Sequence, residues 1–362
     1  MNDKTRAPDL AELERPALET MLDARGVAPF RARQIFRWIY RHGVSDIDRM
    51  TDLPRDLRAT LTADFTLSTP VVVERHRSVD GTEKFLLRLA DSRQIESVFI
   101  PDTPAMTFCI STQVGCAMAC AFCLTGKMGL VRHLTAGEIV GQVRVLADAV
   151  ALRDKRFNIV LMGMGEPLHN YDETMKALRI LADEHGLDVS PRRVTLSTVG
   201  LLPALERLAK EAVMPNLAIS LHAPSDLTRG ELVPINKKYG VADIIAACRR
   251  FPIRKRSRIT FEYVLLAGVN DSPDDARKLA RLMAGLKSKV NVIPLNAAPG
   301  IPFERPSEDA IDRFAKTLAD HDILVSVRKS RGRDIRAACG QLIVEGQRKS
   351  PAQQLAVMAF GD

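Results

Sequence analysis

The 362-residue sequence predicts an α/β fold: a partial (β/α)6, TIM-like barrel with an N-terminal helical module and a small β-meander. Three observations lead to this prediction. Short apolar runs alternate with amphipathic helical stretches after residue 104. Residues 66–103 instead show β-type segments separated by turn residues. Residues 1–65 have helical spacing interrupted by Gly and Pro.

The helical module is predicted over residues 1–65, and its clearest helices are 10–23 and 30–42. Gly26, Pro29 and Gly43 interrupt them, because neither residue type continues a helix well. The meander follows over residues 66–103, with strands predicted at 71–78, 84–89 and 94–101. These two parts form an accessory region ahead of the barrel.

The barrel is predicted over residues 104–328. Its strands are expected near 106–111, 158–162, 193–197, 217–221, 259–265 and 289–294, with a seventh short strand at 324–327. Helices are expected at 136–152, 171–184, 202–211, 274–286 and 307–321. Residues 329–362 form a C-terminal tail. In such a barrel the functional side chains lie at the carboxyl ends of the strands.

Composition narrows the class of protein. No apolar run approaches the roughly 20 residues that span a bilayer, and acidic residues occur throughout the first thirty positions, so we expect a cytoplasmic protein without membrane association. Six cysteines, half of them in one short stretch, are too few and too uneven for a secreted disulfide framework. Metal binding or redox chemistry is therefore the expected use of the thiols.

The charge favours a polyanionic partner. Fifty-two Lys and Arg against 44 Asp and Glu give a net charge of +8. Arg33, Arg37 and Arg41 recur every fourth residue and share one helix face, although a solvated face is the commoner explanation for such a stripe. Further basic runs occupy 249–258 and 328–336. RNA or DNA is therefore the polyanion that the charge favours.

The stretch CAMACAFC carries Cys116, Cys120 and Cys123 with the spacing C-x3-C-x2-C, just after the first barrel strand. A structural zinc site usually takes four protein ligands, and the sequence offers no second C-x2-C pair. Three thiolates suit a four-iron cluster with one open iron, whereas a zinc knuckle or incidental buried thiols are the alternatives. A second signal, VLMGMGEP at 160–167, places Gly165 and Glu166 at the next strand end.

Together these features resemble the radical S-adenosylmethionine (radical SAM) superfamily, and within it the adenosine methyltransferases of the RlmN and Cfr type, which modify 23S ribosomal RNA. The motifs that carry the resemblance are FCISTQVGCAMACAFC (108–123), LMGMGEPLHNY (161–171), SPRRVTLSTVG (190–200), AISLHAP (218–224), LVPINKKY (232–239), FEYVLLAGVND (261–271) and VRKSRGRDIRAACGQL (327–342). The resemblance implies a radical SAM barrel, a [4Fe-4S] cluster on the three cysteines and two molecules of S-adenosylmethionine per turnover.

The resemblance also implies a set of site residues. Cys339 accepts a methyl group, Cys109 resolves the RNA adduct by forming a disulfide with Cys339, and Glu96 is the base that deprotonates the attacked carbon. Each has a structural alternative: a core thiol for either cysteine, and a solvated edge-strand charge for Glu96. Cys248 matches no functional position. The cofactor-binding residues implied by the resemblance are Gly165, Glu166, Ser197, Ser220, Leu221, His222 and Asn296.

The expected reaction is methylation of C2 of an adenosine in 23S rRNA, together with an adenosine in tRNA anticodon loops. C2 and C8 of adenine are electron-poor, so neither displaces a methyl group from a sulfonium, whereas a carbon radical can add to them. Methylation at C8, the Cfr-type outcome, is the alternative within the family. A non-catalytic, metal-stabilised RNA-binding protein is the alternative of another class. A flavodoxin system as electron donor and a monomeric state are further expectations.

Overall fold

The protein is described by a computed structural model over residues 7–101 and 105–344. Its N-terminal part is helical, as the sequence predicts, but the helix expected at 10–23 is divided. Leu13 and Glu14 are extended, and Pro16 stands in the first turn of the helix that follows, where its missing N–H costs nothing. The helical elements are the 3-10 turns Leu10–Glu12 and Ile47–Arg49 and the helices α1 (Arg15–Asp23), α2 (Pro29–Tyr40) and α3 (Arg55–Asp64).

The N-terminal module is anchored to the barrel by polar contacts. Glu12 accepts hydrogen bonds from the backbone of Gly137 at 2.9 Å and from the Thr135 hydroxyl, at the start of a barrel helix. In the arginine stripe of α2, Arg33 lies 3.8 Å from Glu19, and Arg41 donates to backbone carbonyls of the 184–186 turn. Those two arginines therefore already contact protein groups.

The meander has three antiparallel strands, β1 (Val71–Arg77), β2 (Glu83–Arg88) and β3 (Gln94–Ile100). It is not a separate sheet. β3 pairs with the first barrel strand, β4 (Thr107–Cys109), and this register sets Val98 opposite Cys109. The meander and the barrel strands thus form one continuous sheet, which runs across the predicted boundary at residues 103 and 104.

The barrel strands lie where the sequence predicts them. From β4 onward they are parallel neighbours in chain order: β7 (Asn158–Leu161), β8 (Val194–Thr198), β9 (Asn216–Ser220), β10 (Ile259–Leu265), β11 (Ser288–Pro294) and β12 (Val325–Val327). Over the described residues the sheet ends at β1 on one side and β12 on the other, so the barrel is open. This confirms the partial barrel.

Helices cover the outside of the sheet. The helix Ala136–Ala149 begins with a capping box, in which Thr135 and Glu138 each bind the other's backbone N–H. The helices are α4 (Leu124–Lys127), α5 (Ala136–Ala149), α6 (Tyr171–Ala182), α7 (Leu202–Leu208), α8 (Asp226–Leu232), α9 (Val241–Arg250), α10 (Pro273–Met283) and α11 (Glu308–Ala319). In the described ranges, none of the helices is long and apolar enough to cross a membrane.

A hairpin that the sequence analysis missed frames the cysteine stretch. β5 (Gln113–Cys116) and β6 (Gly129–His133) pair antiparallel and flank α4. Gly115 has a φ of +75°, and a Cβ there would lie against the carbonyl oxygen of Gly129, so a side chain is excluded. The hairpin holds both ends of the cysteine loop.

Candidate active site

A cavity of about 940 Å³ opens at the carboxyl ends of the barrel strands. The three clustered cysteines and the GEP turn form part of its wall, and β8, β9, β10 and β11 contribute the residues at or just beyond their ends. The predicted site residues that line it are Cys116, Cys120, Cys123, Gly165, Glu166, Ser197, Ser220, His222, Asn296 and Cys339. The structure therefore brings most of the predicted site together.

The three cysteines of the motif lie on one wall of the cavity, close enough to interact electrostatically. Cys116 ends β5 and is buried, whereas Cys120 and Cys123 are half-buried. Desolvation raises the pKa of each thiol, and the proximity of the other cysteines raises the pKa of Cys116 and of Cys120 further. Because burial disfavours the charged form of each thiol, neighbouring thiolates at this place need a bound cation to balance their charge.

The donor set fits an iron–sulfur cluster. Cys116, Cys120 and Cys123 are soft thiol ligands on one wall of a cavity large enough for a small molecule beside them. Among the described residues, no three His, Cys, Asp or Glu side chains form a compact ligand set for a single metal ion. Three thiols spread around a loop suit a cluster in which each of three irons takes one of them.

The GEP turn presents a buried carboxylate to the cavity. Glu166 accepts backbone hydrogen bonds from Leu168 at 3.0 Å and Val199 at 2.9 Å, and its own N–H donates to Gln113 Oε1 at 2.8 Å. Burial raises the pKa of Glu166 to about 7. Gly165 has a φ of +108°, and a Cβ there would lie 2.6 Å from that of Gln113. The turn therefore requires glycine and is held by Gln113.

His222 follows β9 and is a neutral hydrogen-bond donor toward the cavity. Its Nδ1 accepts the Val264 N–H at 3.1 Å, so its proton is on Nε2. Burial, assisted by the charge of Arg229, lowers the pKa of His222 to about 3. The ring packs edge-on against Phe122, with centroids 4.7 Å apart. This places His222 directly beside the cysteine loop.

The remaining predicted binding residues differ in what they offer. Ser197 and Ser220 hydroxyls lie 3.2 Å apart at adjacent strand ends. Asn296 is buried, and its Oδ1 has no hydrogen-bond partner in the protein, which leaves an acceptor for a ligand. Leu221 is fully buried and does not line the cavity. It contributes through its backbone, which bonds to the Glu262 carbonyl and to Arg229.

Cys339 lies between this cavity and a second one of about 470 Å³. The second cavity is lined by Cys109, and Arg328 borders both. Burial raises the pKa of Cys109 to about 12, and the neighbouring Cys339 contributes to the shift. Cys109 and Cys339 therefore line one cavity together, and Cys339 also lines the cavity that holds the three clustered cysteines.

Glu96 is buried in the sheet and lines neither cavity. One carboxylate oxygen lies 2.8 Å from Lys84 Nζ, and the other accepts the Ile343 N–H at 2.8 Å. Burial raises its pKa, although Lys84 opposes the shift. The edge-strand alternative is wrong, because β3 lies between β2 and β4. In this conformation the backbone of the C-terminal segment therefore uses one oxygen of the Glu96 carboxylate as a hydrogen-bond acceptor.

Sequence reasoning missed several residues of the site. Glu262 is buried on β10 and lines the cavity, where it accepts a hydrogen bond from Asn291 at 2.7 Å. Its position inside the otherwise apolar strand ITFEYVL was a signal that could have identified it. Arg328 also lines the cavity, although the basic run 328–336 that it begins was considered only as a sign of a polyanionic partner.

Comparisons with known proteins agree with this site. The model of the radical SAM superfamily matches residues 110–281, and that of the ribosomal RNA large subunit methyltransferase N-terminal domain matches residues 8–67. A dual-specificity RNA methyltransferase RlmN from Anaeromyxobacter sp. (strain Fw109-5) is 49% identical over 94% of this chain and 91% of the relative. The RlmN protein of Geobacter sulfurreducens is 50% identical over 92% of this chain and 91% of that relative's own chain.

A solved structure extends the likeness to three dimensions. The crystal structure of a radical SAM methyltransferase from Sphaerobacter thermophilus has a TM-score of 0.88 and 49% sequence identity, covering 92% of this chain and 99% of that one. The fold, the three-cysteine loop and the GEP turn lie within these matched regions. The chain belongs to the RlmN family of radical SAM RNA methyltransferases, which use a [4Fe-4S] cluster and two molecules of S-adenosylmethionine per turnover.

Proposed function

We propose that this protein methylates C2 of an adenosine in 23S rRNA and an adenosine in tRNA anticodon loops, using Cys339 as the methyl carrier. The observation that carries the proposal is the position of Cys339 between two cavities. One cavity holds the three clustered cysteines and the GEP turn, and the other holds Cys109. A carrier needs access both to a methyl source and to a resolving thiol.

We assign the binding roles as follows. Cys116, Cys120 and Cys123 hold the cluster, which supplies the electron that cleaves S-adenosylmethionine to a carbon radical. Glu166 accepts hydrogen bonds from the cofactor's ammonium group, and His222 donates from Nε2. Ser197, Ser220 and Asn296 offer polar groups to the same ligand, and Gly165 and Leu221 shape the backbone around it.

The transfer then proceeds on this chain's own groups. Cys339 carries a methyl group taken from one molecule of S-adenosylmethionine, which leaves as S-adenosylhomocysteine. One hydrogen atom of that methyl group would pass to the 5'-deoxyadenosyl radical from a second molecule, and the remaining carbon radical would add to C2 of adenine. Glu96 would accept the C2 proton, and the electron released by the adduct would return to the oxidised cluster that Cys116, Cys120 and Cys123 would hold. The Cys109 thiolate attacks the Cys339 sulfur, the sulfur–carbon bond breaks, and the released carbon takes a proton to become the methyl group. A disulfide remains, which an external dithiol reduces.

The first test is nucleoside mass spectrometry of 23S rRNA and tRNA after anaerobic incubation with the iron-reconstituted protein, a reductant and S-adenosylmethionine. We expect 2-methyladenosine in both RNAs. C339A should form none, whereas C109A should accumulate a covalent protein–RNA adduct. C248A is the matched control, because Cys248 is buried in α9 away from both cavities and should retain activity. Formation of 8-methyladenosine would contradict the C2 assignment.

We further propose that residues 1–65 bind RNA, that 66–103 and 104–328 form the meander and the catalytic barrel, and that 329–362 carry the methyl acceptor. All three arginines of the α2 stripe are exposed, and Arg37 is the one to test first because, within the described residues, its side chain makes neither a hydrogen bond nor an ion pair. Because phosphate contacts release counterions, RNA affinity should fall by orders of magnitude between about 50 and about 200 mM salt. R37A should reduce that salt dependence. An unchanged dependence would contradict a role for this face.

The setting of the reaction completes the proposal. We propose a monomer that works in the cytoplasm, where ribosomal and transfer RNAs are, with a flavodoxin system as its electron donor. Sedimentation of the reconstituted protein tests the monomer. Replacing the chemical reductant by flavodoxin and its reductase tests the donor, and failure of that pair to support turnover would contradict it.

A further inference from the structure

Arg229 is a fully buried arginine on α8, behind the cavity. Its guanidinium group has five N–H donors, including that of Nε, and the protein supplies an acceptor for each. The acceptors lie 2.7–3.3 Å away and are the backbone oxygens of Val199, Ser220, Leu221 and Tyr239 and the Oδ1 of Asn236. Arg229 has no donor left for a substrate or cofactor, and it does not line the cavity.

None of these acceptors is charged. Among the described residues, no carboxylate lies within ion-pair distance of the Arg229 guanidinium. The neighbouring Asp226 carboxylate instead accepts hydrogen bonds from Asn236 and from the Val241 N–H. Burying a cation without a counter-ion costs several kcal/mol, so its retention calls for a compensating negative charge nearby. Burial accordingly lowers the pKa of Arg229 to about 10.

The cysteine loop can supply negative charge near Arg229, and the Asp226 carboxylate at the start of α8 supplies some as well. The Ala121 N–H donates to the Leu232 carbonyl at 2.9 Å, which joins that loop to the end of α8. Leu232 also packs in one apolar cluster with Cys116 and Phe122. Arg229 lies close enough to Cys120 for the two groups to interact electrostatically. A cluster with three thiolates carries net negative charge and gains one more unit when it accepts an electron.

We propose that Arg229 is a positioning residue that raises the reduction potential of the cluster, by placing an unpaired buried positive charge behind the cysteine loop. It acts through its field, since all of its donors are used within the protein. The inference rests on the cluster assignment above but not on the identity of the RNA substrate. A residue with only a structural role would hold the strand ends together without changing the potential.

The test is an anaerobic potentiometric titration of the reconstituted protein, with dithionite as the one-electron donor and the EPR signal of the reduced cluster as the readout. In R229Q the charge is lost. At a fixed solution potential, the ratio of reduced to oxidised cluster should fall by about tenfold or more, which corresponds to about 59 mV or more. R229K keeps the charge and should stay closer to the wild-type potential than R229Q does.

Two further variants distinguish the electrostatic effect of Arg229 on the potential from its effect on packing. R144Q removes another buried arginine, on α5, whose NH2 group bonds to the Val44 carbonyl, and it should leave the potential unchanged. D226N keeps Arg229 and removes the carboxylate charge that interacts with it, while its Oδ1 can still accept from Asn236 and from the Val241 N–H, so it should raise the potential. This variant tests the proposal even if R229Q fails to fold.

A wild-type potential in R229Q or in D226N overturns the inference, even where RNA methylation persists. An equal shift in R144Q also overturns it, because the effect would then follow from lost stability. Absence of methylation by the wild-type protein, with a cluster that is reduced normally, would instead count against the reaction proposed above. The two proposals can therefore fail separately.

Discussion

Substitution of Gly165 by alanine tests whether the GEP turn is as rigid as its contacts indicate. At a φ of +108° an L side chain is strained, at a cost of about 1–3 kcal/mol. The new Cβ would also lie 2.6 Å from the Cβ of Gln113, a fully buried residue, and such overpacking costs about 1–3 kcal/mol. We expect G165A to lose roughly 2–6 kcal/mol of unfolding free energy.

The matched control is Gly268, which also has a positive φ of +68° but would have nothing within 4 Å of an added Cβ. G268A should lose only about 1–2 kcal/mol, the cost of the left-handed backbone alone. The assay is anaerobic denaturant unfolding of both variants and the wild type, with the midpoint and slope compared. If G165A loses no more than G268A, the reasoning about the contact with Gln113 is refuted.

Relief of that clash has a functional consequence. The turn can move only by separating the Glu166 N–H from Gln113 Oε1, which are now 2.8 Å apart. Affinity for S-adenosylmethionine should therefore fall in G165A and stay near the wild-type value in G268A. Calorimetric titration of the cluster-loaded proteins measures both.

Other predictions concern pH and the C-terminal segment. Binding of S-adenosylmethionine should weaken as the pH falls through about 7. Burial raises the pKa of Glu166 to about 7, so the carboxylate proposed to bind the ammonium group becomes protonated and loses its charge over this range. Calorimetry across the range should show this loss for the wild type and a flat profile for E166Q. The Ser78 hydroxyl donates to Asp334 Oδ1 at 2.5 Å and ties the segment that carries Cys339 to the β1–β2 turn. D334N should reduce the methylated fraction of Cys339 in timed peptide mass spectrometry, whereas D320N, which alters an ion pair on α11, should not.

Much of the fold could be predicted because its signals are local. The barrel strands are short apolar runs, and alternation correctly placed Glu96 in an apolar setting. The split of the first helix at Leu13 was missed, since helical spacing continues across it while Pro16 begins a new helix. The hairpin that frames the cysteine loop was missed because its strands are too short to show periodicity.

The site was less accessible to sequence reasoning wherever it depends on distant segments. His222 and Asn296 came from the family resemblance, and their positions at strand ends agree with a shared ligand, because parallel strands bring their carboxyl ends to one edge. The approach of Cys339 to Cys109 across more than half of the chain came only from the family resemblance. Arg229 is recognisable only once its burial is known, since charged residues in a sequence are mostly exposed.

The bond between the Glu96 carboxylate and the Ile343 N–H implies an order of events in each catalytic cycle. The same segment carries Cys339 four residues earlier, so the carrier and the residue that occupies the proposed base belong to one piece of chain. Glu96 can accept a proton freely only after Ile343 withdraws. Delivery of the methyl carrier to RNA and release of the base would then be a single movement, which prevents proton removal before the substrate has been engaged.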